Sequence, residues 1–298
     1  MTSASLAAVV RRLALLVNPT SGKGRAARVA EPVLARLRAS GAEVVQVIGT
    51  DGPDAERRAI EVVKDGVDAL VALGGDGIAH TAIQAVAGTG VPLGLVPAGT
   101  GNDLARELDM PRDPLEATEA ILAATPRHID AVRAGDRWFG GVLGSGFDSM
   151  VNERANRMSW PRGRSRYNLA ILAELRVFRP LPFTITLDGE VWHTEAMLVA
   201  VGNGTSYGAG MKVCPTASLD DGLLNVTVLG PVPKLRFIRM FPRVYKGTHI
   251  ELPEVHCRTA HEVRLESPGV IAYADGERFA PLPLTCTCVP GALTILAP

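Results

Sequence analysis

The chain has 298 residues, 47% of them hydrophobic, and its 31 Lys+Arg balance 31 Asp+Glu to a formal charge of zero. That length accommodates two domains, which commonly run about 100–200 residues each. The charge balance excludes a globally basic nucleic-acid binder and an acidic disordered tail.

In chain order, the N-terminal ASLAAVVRRLALLVNP superficially suggests a leader. Arg11 and Arg12 interrupt its apolar run, however, and the residues after them read as a strand entering a glycine loop. No stretch reaches the roughly 18 apolar residues of a membrane span. The expectation is a mature, soluble, cytoplasmic protein without a transmembrane segment. Leu13–Val17, Ala69–Leu73 and Leu93–Val96 are uninterrupted apolar runs and Val44–Ile48 is one broken only by Gln46, as strands buried on both faces should be. Helical patterns lie between them at Arg25–Ala39, Asp54–Lys64, Ala79–Ala87 and Asn102–Leu108. In the first of these, Val29, Val33, Leu34 and Leu37 share one side, and Pro32 argues against a straight helix. Such alternation predicts a mainly parallel sheet covered by helices.

After about residue 130 the rhythm changes. Gly135-Asp136 and Asp188-Gly189-Glu190 each separate two strand-like runs, a hairpin signal. The flanking runs are Val132–Ala134 with Trp138–Val142, and Phe183–Leu187 with Val191–Val201. Further runs at Leu223–Leu229, Glu262–Leu265, Val270–Tyr273, Leu284–Val289 and Leu293–Leu296 predict an antiparallel sandwich-like second domain. Two helical patches, Arg166–Phe178 and Pro233–Tyr245, interrupt it. Cys214, Cys257, Cys286 and Cys288 are too few and too late for a disulfide scaffold. Reduced, buried thiols are expected, with Cys286 and Cys288 on one side of a strand.

Three of the parallel strands end in polar glycine loops: Asn18-Pro19-Thr20-Ser21-Gly22-Lys23-Gly24, Gly74-Gly75-Asp76-Gly77, and Pro97-Ala98-Gly99-Thr100-Gly101-Asn102-Asp103. Ligands of open parallel sheets sit outside the carboxyl ends of the strands. There, glycines admit phosphate oxygens to the backbone, and helix N-termini offer free N–H groups. Neither the P-loop frame nor the dinucleotide fingerprint is present. Instead the loops carry Asp76 and Asp103, which a polyphosphate would repel unless a divalent cation lay between them. Mg²⁺ suits such oxygen ligands, and the combination points to phosphoryl transfer.

The three loops together resemble those of the diacylglycerol kinase catalytic domain family, with the bacterial soluble lipid kinases closest in length and order. The resemblance continues through Gly144-Ser145-Gly146-Phe147-Asp148, Gly202-Asn203-Gly204, Tyr207-Gly208-Ala209-Gly210-Met211, Leu219-Asp220-Asp221-Gly222-Leu223-Leu224 and Asp275-Gly276-Glu277. It implies a nucleotide domain over residues 1–130 of phosphofructokinase/NAD-kinase-like α/β type, to which a final strand near 290–298 returns. It also implies a β-sandwich lipid-substrate domain over 131–289, with ATP in the cleft between the two. By motif match, Asn18, Pro19, Thr20, Ser21, Gly22, Thr50, Gly74, Gly75, Asp76, Gly77, Thr81 and Thr100 would line the ATP site. Asp76, Asp103 and Asp130 would form the acidic network around the catalytic Mg²⁺; without the family match Asp130 reads as a strand-edge or turn aspartate.

Asp275-Gly276 between strand-like runs reads by itself as a hairpin turn. The resemblance instead makes Asp275 the base that takes the acceptor hydroxyl's proton, with Glu277 as partner or replacement. Asp221, with backbone carbonyls of Ser218 and Leu223, would hold a second, structural Mg²⁺, although that segment also reads as a plain turn. The chain departs from the family after Gly-Gly-Asp-Gly, where a Thr or Ser is usual and this chain has Ile78. Thr81 is a substitute hydroxyl one helical turn on, and His80 reads as a solvent-facing or capping residue.

The resemblance implies an ATP- and Mg²⁺-dependent kinase that converts diacylglycerol to phosphatidic acid at the inner face of an anionic membrane. Two segments offer contact with such a surface: Arg154–Arg166 with five arginines, no acid and Trp160, and Lys234–Lys246 with five basic residues, no acid and interleaved apolar and aromatic residues. An ordinary amphipathic helix fits the second segment equally well. The alternatives are a kinase of another lipid alcohol, such as a sphingoid base, and a lipid or nucleotide sensor without catalysis. A homodimer is left open.

Overall fold

The computed structural model describes residues 12–158, 160, 164–208 and 210–298, and in it the first four apolar runs form β1 (Arg12–Val17), β2 (Glu43–Ile48), β3 (Ala69–Gly74) and β4 (Leu93–Pro97). The leader-like segment through Arg11, residue Ala209 and residues 159 and 161–163 of the arginine segment lie outside the described residues. β1 pairs in parallel with β2 and β3, and β3 with β4, giving the order β2-β1-β3-β4. Leu13–Val17, β3 and β4 are buried throughout. β2 departs from that expectation: only Val44 and Val47 are buried. It is the edge strand, and part of its surface meets solvent instead of a helix.

Five helices accompany these strands: α1 (Ser21–Ala39), α2 (Gly52–Lys64), α3 (Asp76–Val86), α4 (Asp103–Glu107) and α5 (Pro114–Ala123). α1 is regular only from Arg25, because Gly22, Lys23 and Gly24 adopt left-handed dihedrals. Pro32 is exposed and does not break the helix, while Val33, Leu34 and Leu37 are buried. α5 is absent from the sequence reading, although its start is signalled by Asp113-Pro114. The Asp113 side chain accepts hydrogen bonds from the Leu115 and Glu116 amides, and proline suits the first helical position.

The chain forms two compact units, one comprising the residues up to Gly140 with Leu219–Gly222 and Val289–Pro298, the other Gly141–Ser218 and Leu223–Cys288. The first contains the parallel sheet and the hairpin β5 (Arg127–Ala134)–β6 (Arg137–Phe139). The apolar runs Leu284–Val289 and Leu293–Leu296 are one strand, β16 (Leu284–Leu296). Its final residues join the first unit's sheet in parallel with β4, Ile295 opposite Leu93 and Leu296 opposite Gly94.

The second unit contains β7 (Val142–Gly146), β8 (Leu181–Leu187), β9 (Glu190–Ala196), β10 (Leu198–Gly202), β11 (Leu224–Leu229), β12 (Val255–Ala260), β13 (Glu262–Glu266), β14 (Ile271–Ala274) and β15 (Glu277–Pro281). One antiparallel sheet runs β12-β11-β10-β7-β14-β15, and another joins β9, β8, β13 and the first half of β16. The expected single run Val191–Val201 is broken at Met197, so that β9 and β10 belong to different sheets. β12 and β15 were not legible as strands. Both are sheet edges with few buried positions, and their apolar alternation is correspondingly weak.

Three helices complete this unit: α6 (Phe147–Arg157), α7 (Arg164–Val177) and α8 (Lys234–Val244). Phe147, Val151, Met197 and Phe237 form a core between helices and sheet, with Phe147 edge-on to both Phe178 and Phe237. All four cysteines are free thiols. Cys286 and Cys288 are buried on one side of β16, and burial pushes the Cys286 thiol up to about 12. Cys257 differs from the expectation of burial, because it sits on the outer strand β12 and is exposed. No helix among the described residues is long and apolar enough to cross a membrane.

Candidate functional site

The sheet order β2-β1-β3-β4 places a topological switch between β1 and β3, the position at which such sheets open a crevice at their carboxyl ends. The loops after β1, β3 and β4 meet there by direct backbone packing. A Cβ added to Gly22 would lie 2.0 Å from the Ala98 carbonyl oxygen, and one added to Gly99 would lie 2.4 Å from the Gly75 Cα. These glycines therefore serve loop-against-loop contact, a reason distinct from the approach of phosphate that the sequence suggested.

Asp76 organises the third loop. Its Oδ2 accepts the Asn102 amide at 2.8 Å and its Oδ1 accepts the Asp103 amide at 2.6 Å. Asn102 is left-handed and closes the turn, its Oδ1 accepting the Gly99 amide and its Nδ2 donating to the Gly99 carbonyl. Asp103 is buried and pairs with Arg106 at 2.6 Å. In the first loop Asn18 Oδ1 accepts from the Thr20 amide and hydroxyl, and Gly22, Lys23 and Gly24 come next with positive φ. Lys23 at φ 57 is a strained non-glycine residue, a feature that concentrates at ligand sites. Pro19 and Ser21 are half-buried in this loop, while Thr20 and Thr100 are exposed.

Other proposed nucleotide residues have local partners. The Thr50 amide and hydroxyl both donate to Asp54, whose carboxyl is held well below its usual range by Thr50 and by Arg57 and Arg58. The Thr81 hydroxyl donates to the Gly77 carbonyl at 3.0 Å. Ile78 is buried and packs under Gly74, where a Cβ would approach it to 2.5 Å. His80 is a correction: it is only 3% exposed, and its Nε2 accepts from Arg137 Nη2 at 3.0 Å. The β5–β6 hairpin covers it, with Gln84 bonding both the amide and the carbonyl of Trp138.

Asp130, on β5, is also buried. Its Oδ2 accepts the Gly222 amide at 2.7 Å, its Oδ1 the Gly291 amide at 2.8 Å, and its own amide donates to the Leu219 carbonyl. It thereby holds the 219–222 loop, in which Asp220 and Asp221 are exposed and Gly222 takes a left-handed turn. Ser218 and Leu223, on either side of that loop, are half-buried. Among the described residues, no three His, Cys, Asp or Glu side chains are grouped to hold a metal ion.

In the second unit, Asp275 and Gly276 both have positive φ and connect β14 to β15. That is a two-residue hairpin with the dihedral signs of a type I′ turn. Asp275 Oδ1 accepts the Gly141 amide at 3.0 Å, and the Asp275 amide donates to Val142 at the start of β7. Glu277 is exposed. The hairpin is tied to α6 by Glu153, which accepts from Arg278 Nε and from the Tyr273 hydroxyl, each at 2.9 Å. Arg278 foremost, and then Tyr273, hold the Glu153 carboxyl below its usual range.

On the same sheet an apolar cavity of about 80 Å³ lies under α6 and α8, with walls that include Phe147, Leu198, Met211, Phe237, Met240 and Phe241. Its polar lining includes Asp148, Tyr207, Thr227 and His249. His249 Nε2 lies 3.1 Å from the Val213 carbonyl and so donates to it, and burial lowers the pKa of the imidazole. The sequence showed these apolar residues only as separate strands and helices. The Gly-Phe at the start of α6 and the spacing of Phe237, Met240 and Phe241 were the available signals. Of the arginines in the segment 154–166, Arg154 pairs with Glu174 and Arg157 with Glu153, while Trp160 is 78% exposed.

Gly22→Ala is expected to destabilise the protein by about 3 kcal/mol, since it combines left-handed strain with a collision against backbone. Gly24→Ala, with φ +82 but no atom within 4 Å of the added Cβ, should cost only about 1 kcal/mol. Chemical denaturation of the two variants measures the difference.

Residues 12–134 match the diacylglycerol kinase catalytic domain, and residues 141–297 match the YegS C-terminal NAD kinase beta sandwich-like domain. Over 296 residues the chain is 44% identical to a Mycobacterium tuberculosis protein named diacylglycerol kinase, with 97% of this chain and 96% of the relative covered. It superposes on a diacylglycerol kinase structure from Bacillus anthracis str. Sterne with a TM-score of 0.77 at 24% identity, covering 97% of each chain. With an NAD kinase from Archaeoglobus fulgidus in complex with ATP the TM-score is 0.53 at 14% identity, covering 96% and 93%. At those identities the two structures establish a common fold.

Proposed function

The chain belongs to the diacylglycerol kinase catalytic domain family, and on that premise we propose that it is an ATP- and Mg²⁺-dependent kinase that phosphorylates the free hydroxyl of diacylglycerol to give phosphatidic acid. The observation that carries this reading lies in the second unit: a carboxylate held on a left-handed turn, Asp275, on the same sheet as a cavity walled by apolar side chains. A lipid alcohol needs both an acceptor for its proton and a refuge for its hydrocarbon.

The glycine loops after β1, β3 and β4 bind the nucleotide. Loop amides, the left-handed turn at 22–24 and the N-terminus of α3 orient the phosphates. Asp76 and Asp103 are the magnesium side of the site. Two carboxylates, with phosphates and water as the remaining ligands, suit Mg²⁺. When bound, the ion would offset charge on the transferring phosphoryl group.

Asp275 receives the acceptor hydroxyl's proton, and the Gly141 amide fixes its orientation while it does so. Glu153 keeps the hairpin that carries it on α6. Asp130 serves this chemistry from behind, by holding the 219–222 loop, and Asp221 with the Ser218 and Leu223 carbonyls would take a structural Mg²⁺. Because its substrate resides in bilayers, the enzyme works as a cytoplasmic protein at the inner membrane face.

The test is transfer of labelled phosphate from ATP to a panel of lipids in mixed micelles: diacylglycerol, monoacylglycerol and a sphingoid base. Mg²⁺-dependent labelling of diacylglycerol above the others is the expected result. Preferential labelling of a different lipid would reassign the acceptor. Binding of ATP without transfer to any lipid would replace the kinase reading with that of a sensor.

A further inference from the structure

Helix α8 has two apolar faces, and the cavity uses only one. Phe237, Met240, Phe241 and Val244 have the i, i+3, i+4, i+7 spacing and line the cavity. Leu235, Ile238, Pro242 and Tyr245 form a second stripe, about 130° around the helix at 100° per residue. Leu235 is 71% exposed, Ile238 51% and Tyr245 47%, with Pro242 exposed between them. A single exposed leucine is ordinary, but an aligned stripe of large apolar residues is not.

Charge decides what covers this stripe. Arg239 and Lys246 lie along its Leu235 edge, both exposed and in no ion pair among the described residues. Arg236 and Arg243 flank it and hold the nearby acids Glu254 and Glu251, so five cations face two carboxylates. At the start of the helix, Lys234 Nζ donates to the Arg176 carbonyl at the end of α7, next to Val177, which is 60% exposed. Apolar side chains interleaved with surplus cations complement the headgroup and outer acyl region of an anionic bilayer.

We propose that the outward stripe of α8, built on Leu235, Ile238, Arg239, Tyr245 and Lys246, is the surface by which this protein docks on anionic lipid bilayers. The inference deepens the lipid-kinase reading, on which its biological purpose rests: docking sets one face of α8 against the bilayer while the other lines the proposed acyl cavity. The helix is then the partition between membrane and cavity.

The full chain is mixed with large unilamellar vesicles of phosphatidylcholine, with or without phosphatidylglycerol, lacking both diacylglycerol and nucleotide, and bound protein is sedimented. Wild type is expected to bind the phosphatidylglycerol vesicles selectively, and less as salt rises. Leu235→Asp with Ile238→Asp should weaken binding about tenfold or more, and so should Arg239→Ser with Lys246→Ser. Wild-type protein that ignores anionic vesicles would overturn the proposal. So would unchanged binding in the Leu235/Ile238 variant, which would assign any attraction to diffuse charge. A concentration-dependent dimer that Leu235→Asp dissolves would overturn it in favour of a second copy covering the stripe. Phosphorylation of a monomeric short-chain diacylglycerol separates the two readings. Both variants should keep the wild-type rate there, whereas absence of transfer with intact vesicle binding would defeat the kinase reading and leave docking standing.

Discussion

Asp275→Asn is expected to lower phosphate transfer to lipid by about 10²- to 10⁴-fold while leaving the fold intact, the range for removing a positioned general base. The substitution isolates proton acceptance. Asparagine tolerates the left-handed conformation that residue 275 adopts at φ 52, and Asn-Gly is a preferred pair for this hairpin. Its amide oxygen can still accept the Gly141 amide that Asp275 Oδ1 now accepts at 3.0 Å. What disappears is a carboxylate able to take a proton. Single-turnover transfer from Mg-ATP, alongside thermal unfolding, distinguishes the cases: lost activity at unchanged melting temperature assigns the base to Asp275. Retained activity would move that role elsewhere, Glu277 being the nearest acid in sequence, and would leave Asp275 as a turn residue only.

Asp130→Ala is expected to destabilise the protein by about 3 kcal/mol or more, with or without Mg²⁺ in the buffer. The side chain is 3% exposed and accepts two amides from segments 92 and 161 residues away in sequence. Alanine would leave both amides without their acceptor and release the 219–222 loop together with β16 at Gly291. Each buried donor left unsatisfied costs about 1–3 kcal/mol. Urea denaturation with EDTA and with Mg²⁺ measures this directly. A loss of stability confined to the magnesium condition would make Asp130 chiefly a metal residue. An equal loss in both makes it the clasp of the first unit, which holds the 219–222 loop and β16 to β5.

The same residues show where sequence reading stops. The uninterrupted runs at Leu13, Ala69 and Leu93 are strands buried on both faces, because a central parallel strand has no solvent side and records that in composition. Edge strands record far less. β2 buries only Val44 and Val47 although its run was still legible, whereas β12 and β15 carry exposed polar residues and lose the pattern that betrays a strand. His80 illustrates a different limit: a helix-start histidine reads as exposed until a hairpin more than 50 residues later covers it with Arg137. The two-faced character of Lys234–Lys246 left open whether its apolar residues meet protein or lipid; only burial separates the Phe237 stripe from the Leu235 stripe.

By itself the sequence determined the fold class, the three glycine loops, the acids they carry and the family, since all of these are written in local composition, spacing and motif order. Tertiary structure alone decided what each group touches. It set Gly22 against Ala98 and Gly75 against Gly99, turned Asp76 toward the amides of the third loop, and buried Asp130 between two distant segments, a turn and a strand. It also gathered residues from several helices and strands into one apolar cavity beside the Asp275 sheet. The physical reason is range. A strand's period or a turn's left-handed residue is settled within a few positions, whereas hydrogen-bond partners and cavity walls come from segments whose proximity exists only once the whole chain has packed.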